Sequence, residues 1–213
     1  MDATTAMYIA QGMHGLAYGM ILFLIASGLT LIFGMMGILN LAHAAFFMLA
    51  AYLCYQVLTW TGNFWLALLI APLIAAVIGV LMERFLLRKV HAFGHIGELI
   101  LTVGVAMLIA DGIKGIWGTE NLPVRVPEVL QGLVSIGGLD YPVYRLFIIG
   151  LSTIILIVLA LILYKTRLGM VVRAAVSDAD MVDALGINVP LVFMLVFGVG
   201  TWMAGVAVPP CRP

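Results

Sequence analysis

The chain has 213 residues, of which 64% are hydrophobic and only 9% are charged, with a mean hydropathy of +1.20 and no net charge. Soluble domains carry about 25% charged residues, so this composition excludes an ordinary water-soluble fold and indicates an integral membrane protein. A neutral chain also offers no electrostatic basis for binding nucleic acid.

Residues 3–82 form a long stretch without formal charge. No Asp, Glu, Lys or Arg lies between Asp2 and Glu83. A spanning helix needs about 20 apolar residues, so this stretch has room for three spans joined by short connections, and three more apolar segments follow between polar loops. The sequence therefore predicts an all-α, polytopic transmembrane helix bundle with about six spans, at 12–33, 41–60, 63–82, 97–117, 146–164 and 190–208.

Basic residues set the expected orientation. They cluster in two loops, one at 83–91 and one starting at residue 165: Arg84, Arg88 and Lys89, then Lys165, Arg167 and Arg173. Two spans separate these loops, so both can lie on one side, and the positive-inside rule assigns that side to the cytoplasm. Because three spans precede the first basic loop, the N-terminus is expected on the outer side. A re-entrant segment near 34–43 would change the number of crossings and so reverse this assignment.

Signals for enzyme chemistry are missing from the sequence. It contains no His-Glu-x-x-His, no Gly-x-x-x-x-Gly-Lys and no Gly-x-Ser-x-Gly pattern. His91 and His95 are four residues apart, but we identify no third ligand near them and favour an interfacial polar cluster. Cys54 and Cys211 indicate neither a disulfide framework nor a metal site. We therefore predict no catalytic residue, no metal and no cofactor.

The stretch GMMGILNLAHAAFFMLAAY at 34–52 places polar residues inside an apolar run. Gly34 and Gly37 mark the joint between the first two spans, and Asn40 and His43 are three residues apart. Without an acidic partner nearby, we favour a polar break at a helix start over a metal or catalytic site. Asn40 is then the helix N-cap, and His43 bonds a neighbouring span. Whether the pair contacts a transported molecule or only holds helices together stays open.

Three charges fall in or near the fourth span: Glu98, Asp111 and Lys114. Charges at membrane depth are costly and often functional. Asp111 and Lys114 are three residues apart and can pair on one helix face. Two interpretations remain, a neutralised pair near the outer end of the span and a lining of the outer vestibule.

The second basic loop continues as RLGMVVRAAVSDADMVDALGIN at 167–188. Helix propensity is good from about 170 to 185, and Gly186 is a plausible stop just after the helix. Either a solvated connector or a docking element for a partner fits this pattern.

Three stretches together carry a family resemblance: GLAYGMILFLIASGLTLIFGMMGILNLAHAAFFMLAAY at 15–52, the 167–188 loop, and MAGVA at 203–207. The chain resembles, over nearly its whole length, the permease subunit of branched-chain amino acid ABC importers. It departs from the family pattern at Ala44 and Ala50, where glycine is usual. Because alanine still permits tight packing, we expect the fold to survive both changes.

The resemblance implies a multi-pass permease subunit in the bacterial inner membrane that moves branched-chain or related hydrophobic amino acids and is not itself an enzyme. Implied partners are ABC ATPase subunits, a second permease subunit in a hetero- or homodimer, a periplasmic binding protein and the lipid bilayer. A urea or short-amide permease of the same family and a non-functional truncated fragment are the alternatives.

The resemblance also implies roles for particular residues. A coupling helix at 174–186 would seat in the ATPase, with Arg173, Asp178, Asp180, Asp183 and Gly186 as its candidate residues. The signature region with Gly34, Gly37, Asn40 and His43 would line or shape the translocation path. Family members extend further, so we expect one permease domain at 1–208, incomplete at its C-terminus, and an aberrant or truncated tail at 209–213.

Overall fold

A computed structural model describes residues 3–37, 39–119, 122, 127–136 and 139–207, so the predicted tail at 209–213 lies outside the described residues. The described residues form nine helices and one antiparallel hairpin. The helices are α1 Ala3–Met36, α2 His43–Thr61, α3 Phe64–Met82, α4 Arg88–Val90, α5 Gly94–Trp117, α6 Val143–Lys165, α7 Arg167–Ser177, α8 Ala179–Ala184 and α9 Val189–Val206. The strands are β1 Leu133–Ile136 and β2 Leu139–Pro142.

The predicted all-α bundle is confirmed. Within the described residues, six helical segments are long and apolar enough to cross a bilayer: α1, α2, α3 extended to Val90, α5, α6 and α9. Each predicted span overlaps one of them. The largest difference is in α1, which begins at Ala3 rather than residue 12, since no proline interrupts the preceding residues.

The third span runs on into what the sequence indicates as a loop. α3 continues through a π-helical turn at Glu83–Leu87 into α4, and a 3₁₀ turn at His91–Phe93 follows. The helical path ends at Gly94, whose φ of 76° suits a residue without a Cβ. The cytoplasmic end of this span is therefore ordered helix rather than a free loop.

α9 is the centre of the bundle. It packs against α1, α2 and α3, and 61% of its apolar window is buried, compared with 6% for α6. Small residues permit these contacts, because a Cβ on Gly200 would lie 2.8 Å from the carbonyl oxygen of Gly28, and one on Gly205 would lie 2.8 Å from Cα of Pro72. Close approach of backbones through small residues is how membrane helices associate without a hydrophobic driving force.

The hairpin between α5 and α6 is anchored to the outer part of α1. Tyr141 is buried and donates its hydroxyl to the carbonyl oxygen of Met13 at 2.9 Å, and its ring stacks on His14. Burial, and to a lesser extent neighbouring Tyr144, raises the pKa of the Tyr141 hydroxyl, which keeps its proton available for this bond. The sequence indicates only a polar loop here, and the strand pair was not predicted.

Candidate functional site

The second span begins inside the bundle rather than at its cytoplasmic end. His43, the first residue of α2, lies with Nε2 3.1 Å from the carbonyl oxygen of Ile25 on α1. Ile25 is 36 − 25 = 11 residues before the end of α1 at Met36, which at 1.5 Å per residue is about 16 Å of helix. Residues 39–42 therefore lead into α2 well before the level at which α1 ends, and α2 begins beside the interior part of α1.

Asn40 organises the start of α2. Its side-chain oxygen accepts from the N–H of Ala42 at 3.1 Å, and its backbone oxygen accepts from the N–H of His43 at 3.1 Å. These are bonds typical of a helix cap, although the residue directly before the regular helix is Ala42. The predicted bond of His43 to a neighbouring span is also observed. Both side chains are buried, yet Nδ2 of Asn40 and Nδ1 of His43 have no hydrogen-bond partner among the described residues.

Gly37 ends α1. Its φ is 66°, and its N–H bonds the carbonyl oxygen of Phe33 at 2.8 Å, a left-handed C-terminal stop. Gly34 instead lies within the last turns of the helix. The joint predicted at both glycines is thus made by Gly37 alone.

A cleft of about 570 Å³ opens at the cytoplasmic end of the bundle. It brings together the end of α1 with both signature glycines, the turn after α4 with His91, α7 and α8 with Asp180 and Asp183, and the start of α9. Two pairs of residues that the sequence places far apart, Gly34 with Gly37 and Asp180 with Asp183, therefore line the same cleft.

Glu98 forms a cluster with both histidines beside that cleft. Its side chain is 1% exposed, with Oε1 2.5 Å from Nδ1 of His91 and Oε2 3.4 Å from Nδ1 of His95. The two histidines and Glu98, one helical turn after His95, thus form a polar cluster in which a single carboxylate faces both imidazole rings. No group of three or more ligands suited to a metal ion occurs among the described residues.

Comparison with known proteins identifies the family. The family model for the permease component of branched-chain amino acid transport systems matches residues 13–208, which covers most of the first span and all of the other five. The chain belongs to this permease family. No solved structure matches it.

Curated relatives agree with this assignment. The permease is 25% identical to the high-affinity branched-chain amino acid transport system permease protein BraD of Pseudomonas aeruginosa and 27% identical to LivH of Escherichia coli K12, in each case over 94% of this chain and 69% of the relative. A probable LivH permease of Methanocaldococcus jannaschii is 24% identical over 89% of the chain and 62% of the relative. The predictions of a multi-pass inner-membrane permease that is not an enzyme are confirmed.

The permease forms two helices where the sequence predicts a single one over 170–185. α7 ends at Ser177, and α8 begins after Asp178, whose carboxylate accepts from the N–H of Met181 at 2.9 Å. An aspartate is a strong N-cap, so it starts a new helix here. Gly186 is the predicted stop: its φ is 82°, and the N–H of Ile187 reaches the carbonyl oxygen of Val182, a Schellman ending.

The five candidate coupling residues therefore have different local environments. Asp178 and Gly186 begin and end α8. Arg173 turns back to α6, where its guanidinium donates to the carbonyl oxygen of Leu163 and lies over the ring of Tyr164. Asp180 and Asp183 are exposed and line the cytoplasmic cleft. Asp178 is exposed as well, but its carboxylate is engaged in capping α8.

The three intramembrane charges do not form one group. Asp111 and Lys114 pair at 3.2 Å near the outer end of α5, with both side chains mostly exposed. Glu98 lies buried at the opposite end of the same helix. Asp111 and Lys114 form the ion pair that their three-residue spacing predicts.

We expect Asp111→Asn to change the unfolding free energy by less than about 0.5 kcal/mol, because exposed ion pairs contribute little. Uptake by the assembled transporter should be unchanged at equal protein level. A marked loss of uptake at equal level would instead assign Asp111 to the outer vestibule.

Sequence reasoning missed the glycine contacts on α9 and the role of Glu98 as the partner of His91 and His95. The three-residue spacing between His95 and Glu98 is a readable signal for the second of these. The contact of Gly200 with Gly28 joins residues that are far apart in the sequence, so no local pattern predicts it.

Proposed function

We propose that this permease forms part of the path by which an ABC importer moves branched-chain amino acids across the inner membrane, driven by separate ATPase subunits and fed by a periplasmic binding protein. The match of the family model across residues 13–208 carries the proposal. The relatives whose names specify high-affinity branched-chain transport support this choice of substrate.

The proposed path runs beside the segment 39–42. Leu39 and Leu41 on this segment are each 45% exposed, although α2 begins at the level of the bilayer interior. Irregular backbone is tolerated at that depth only where protein buries it or where it lines a water-filled cavity. We therefore assign this face to the path or to the second permease subunit rather than to lipid.

Reconstitution tests the proposal. The permease, its partner permease and the ATPase subunits are placed in proteoliposomes, with binding protein and labelled leucine outside and ATP inside. We expect ATP-dependent accumulation of leucine and none of urea. Accumulation of urea without leucine would replace the proposed substrate by the short-amide alternative, and accumulation of neither would reject the transport assignment.

We further propose that α7 and α8 form the surface on which an ATPase subunit docks. The two helices lie on the side of the basic loops, and their outer surface combines Asp180 and Asp183 with exposed Met181 and Leu185. An apolar patch rimmed by charge is typical of a protein interface. Shared walls of the cleft connect this surface to the end of α1 and the start of α9.

Two substitutions test docking. Asp183→Arg reverses an exposed charge, and Gly186→Pro replaces a residue with φ of 82° by one restricted to about −65°. We expect both variants to insert normally and to lose co-purification of the ATPase subunit. Asp111→Asn, at the outer end of α5, is the control, and full ATPase association in both variants would reject the docking role.

A further inference from the structure

The first turn of α2 has hydrogen-bond donors without acceptors inside the bundle. Asn40 satisfies the amides of Ala42 and His43. The amides of Ala44 and Ala45 have no acceptor among the described residues. Free N–H groups at a helix start, reinforced by the helix dipole, attract negative charge. α2 has 19 residues, long enough for that dipole to be developed.

Two buried side chains add to these amides. Asn40 is 1% exposed, and since its oxygen is already used as an acceptor, the two N–H bonds of Nδ2 remain unpaired. His43 is 2% exposed, and Nε2 faces a carbonyl oxygen, so the neutral ring has its proton there. Its unpaired Nδ1 is then a hydrogen-bond acceptor. Buried polar groups without partners are rare in native structures and call for a ligand or a water.

Formal charge is scarce in the sequence around this turn and on α9, and on α5, which also packs against α2, the buried carboxylate of Glu98 faces His91 and His95. The stretch between Asp2 and Glu83 has no charged residue, and neither does α9. Access exists on one side, since Ala44 is exposed next to Leu39 and Leu41. The turn therefore offers donors for an anion and an acceptor for a cation, with an opening on the face that carries exposed Leu39 and Leu41.

We propose that the first turn of α2 is a binding site for the zwitterionic end of the amino acid in transit. The amides of Ala44 and Ala45 and Nδ2 of Asn40 take the α-carboxylate, and Nδ1 of His43 accepts from the α-ammonium. This inference rests on the proposed function, because it needs an amino acid on this path. It adds the recognised chemical group: a free carboxylate and a free ammonium attached to the same α-carbon.

Thermal unfolding of the detergent-solubilised importer, without binding protein, tests the site on unaltered protein. Leucine should raise the unfolding midpoint, since a ligand that binds the native state stabilises it. Leucinamide lacks the carboxylate and 4-methylpentanoate lacks the ammonium, so each should need at least about tenfold higher concentration for the same shift. Equal shifts by leucine and leucinamide, or no shift with leucine, would overturn the proposal.

Two variants locate the site. Asn40→Ser retains an oxygen that can accept from Ala42 and removes the Nδ2 donors, while Asn40→Asp replaces those donors by a negative oxygen. Both should lose the leucine-dependent shift and import leucine at least about tenfold more slowly. Asn63→Ser is the matched control, because Asn63 caps α3 through bonds to Trp65 and Leu66 on an exposed turn. It should behave as the unaltered protein.

The outcomes separate the two proposals. If the unaltered importer accumulates leucine and Asn40→Ser accumulates it at the same rate, the site is rejected and the transport function stands. If the unaltered importer accumulates no leucine, the transport function itself is rejected. Should the Asn40 variants fail to assemble, the comparison of leucine with its two analogues on unaltered protein still decides whether the site is correct.

Discussion

Replacing Gly200 with valine is expected to disrupt the centre of the bundle, with a loss of about 3 kcal/mol in unfolding free energy, at the upper end of typical overpacking costs. A Cβ at this position would lie 2.6 Å from Cδ1 of Ile32 and 2.8 Å from the carbonyl oxygen of Gly28. The backbone contact is the decisive one, because a carbonyl in a regular helix cannot move without displacing that helix.

Replacing Gly200 with valine should also affect the start of α2. The bond from His43 to Ile25 lies beside this crossing, since a Cβ on Gly28 would approach both the carbonyl oxygen of Gly200 and the ring of His43. Separation of the two helices should therefore also release the start of α2. We expect the solubilised variant to unfold at lower SDS fraction than the unaltered protein.

Gly104→Val is the matched control for this prediction. Gly104 lies on α5, is exposed, and has no atom within 4 Å of a built Cβ. This variant should unfold at the same SDS fraction as the unaltered protein. Equal stability of Gly200→Val and Gly104→Val would contradict the close crossing of α1 and α9.

The second large effect is expected at the junction of α6 and α7. A Cβ on Gly169 would overlap the backbone carbonyl oxygens of Leu163 and Ile162. The first turn of α7 is also held there by Thr166, whose hydroxyl oxygen accepts from the N–H of Gly169 at 3.2 Å. Valine at 169 should therefore push α7 away from the end of α6.

This displacement should affect function more than insertion. The bond from Arg173 to the carbonyl oxygen of Leu163 depends on the same junction, so α7 and α8 lose their fixed position together. We expect Gly169→Val to insert all six spans, to become sensitive to protease within 166–178, and to retain at most about one tenth of the ATPase association.

Gly150→Val is the control on the same pair of helices. Gly150 is on α6 and exposed, with no atom within 4 Å of a built Cβ. Both ATPase association and protease resistance should match the unaltered protein. Normal association of Gly169→Val would mean that the α6–α7 junction does not fix the docking surface.

Several elements could be predicted from local patterns because their causes are local. Gly186, predicted as a helix stop, ends α8 through bonds between residues no more than five positions apart. The single helix predicted over 170–185 was wrong for a related reason: Asp178 competes with the helix backbone by bonding Met181. Helix propensity summed along the segment does not detect one strong cap in its middle.

The sequence by itself determined that this protein has about six spans and which family it resembles, while the cytoplasmic side of its basic loops stays a prediction. These follow from composition, run length, charge distribution and motifs, and each is a property of contiguous residues. Only the tertiary structure decided that α9 lies at the centre, that Glu98 binds two histidines at the cytoplasmic end, and that α2 begins beside Ile25 inside the bundle. The physical reason is that lipid solvates every apolar helix equally, so hydrophobicity does not determine which helices become neighbours. Close packing of small residues and the pairing of polar groups determine it instead.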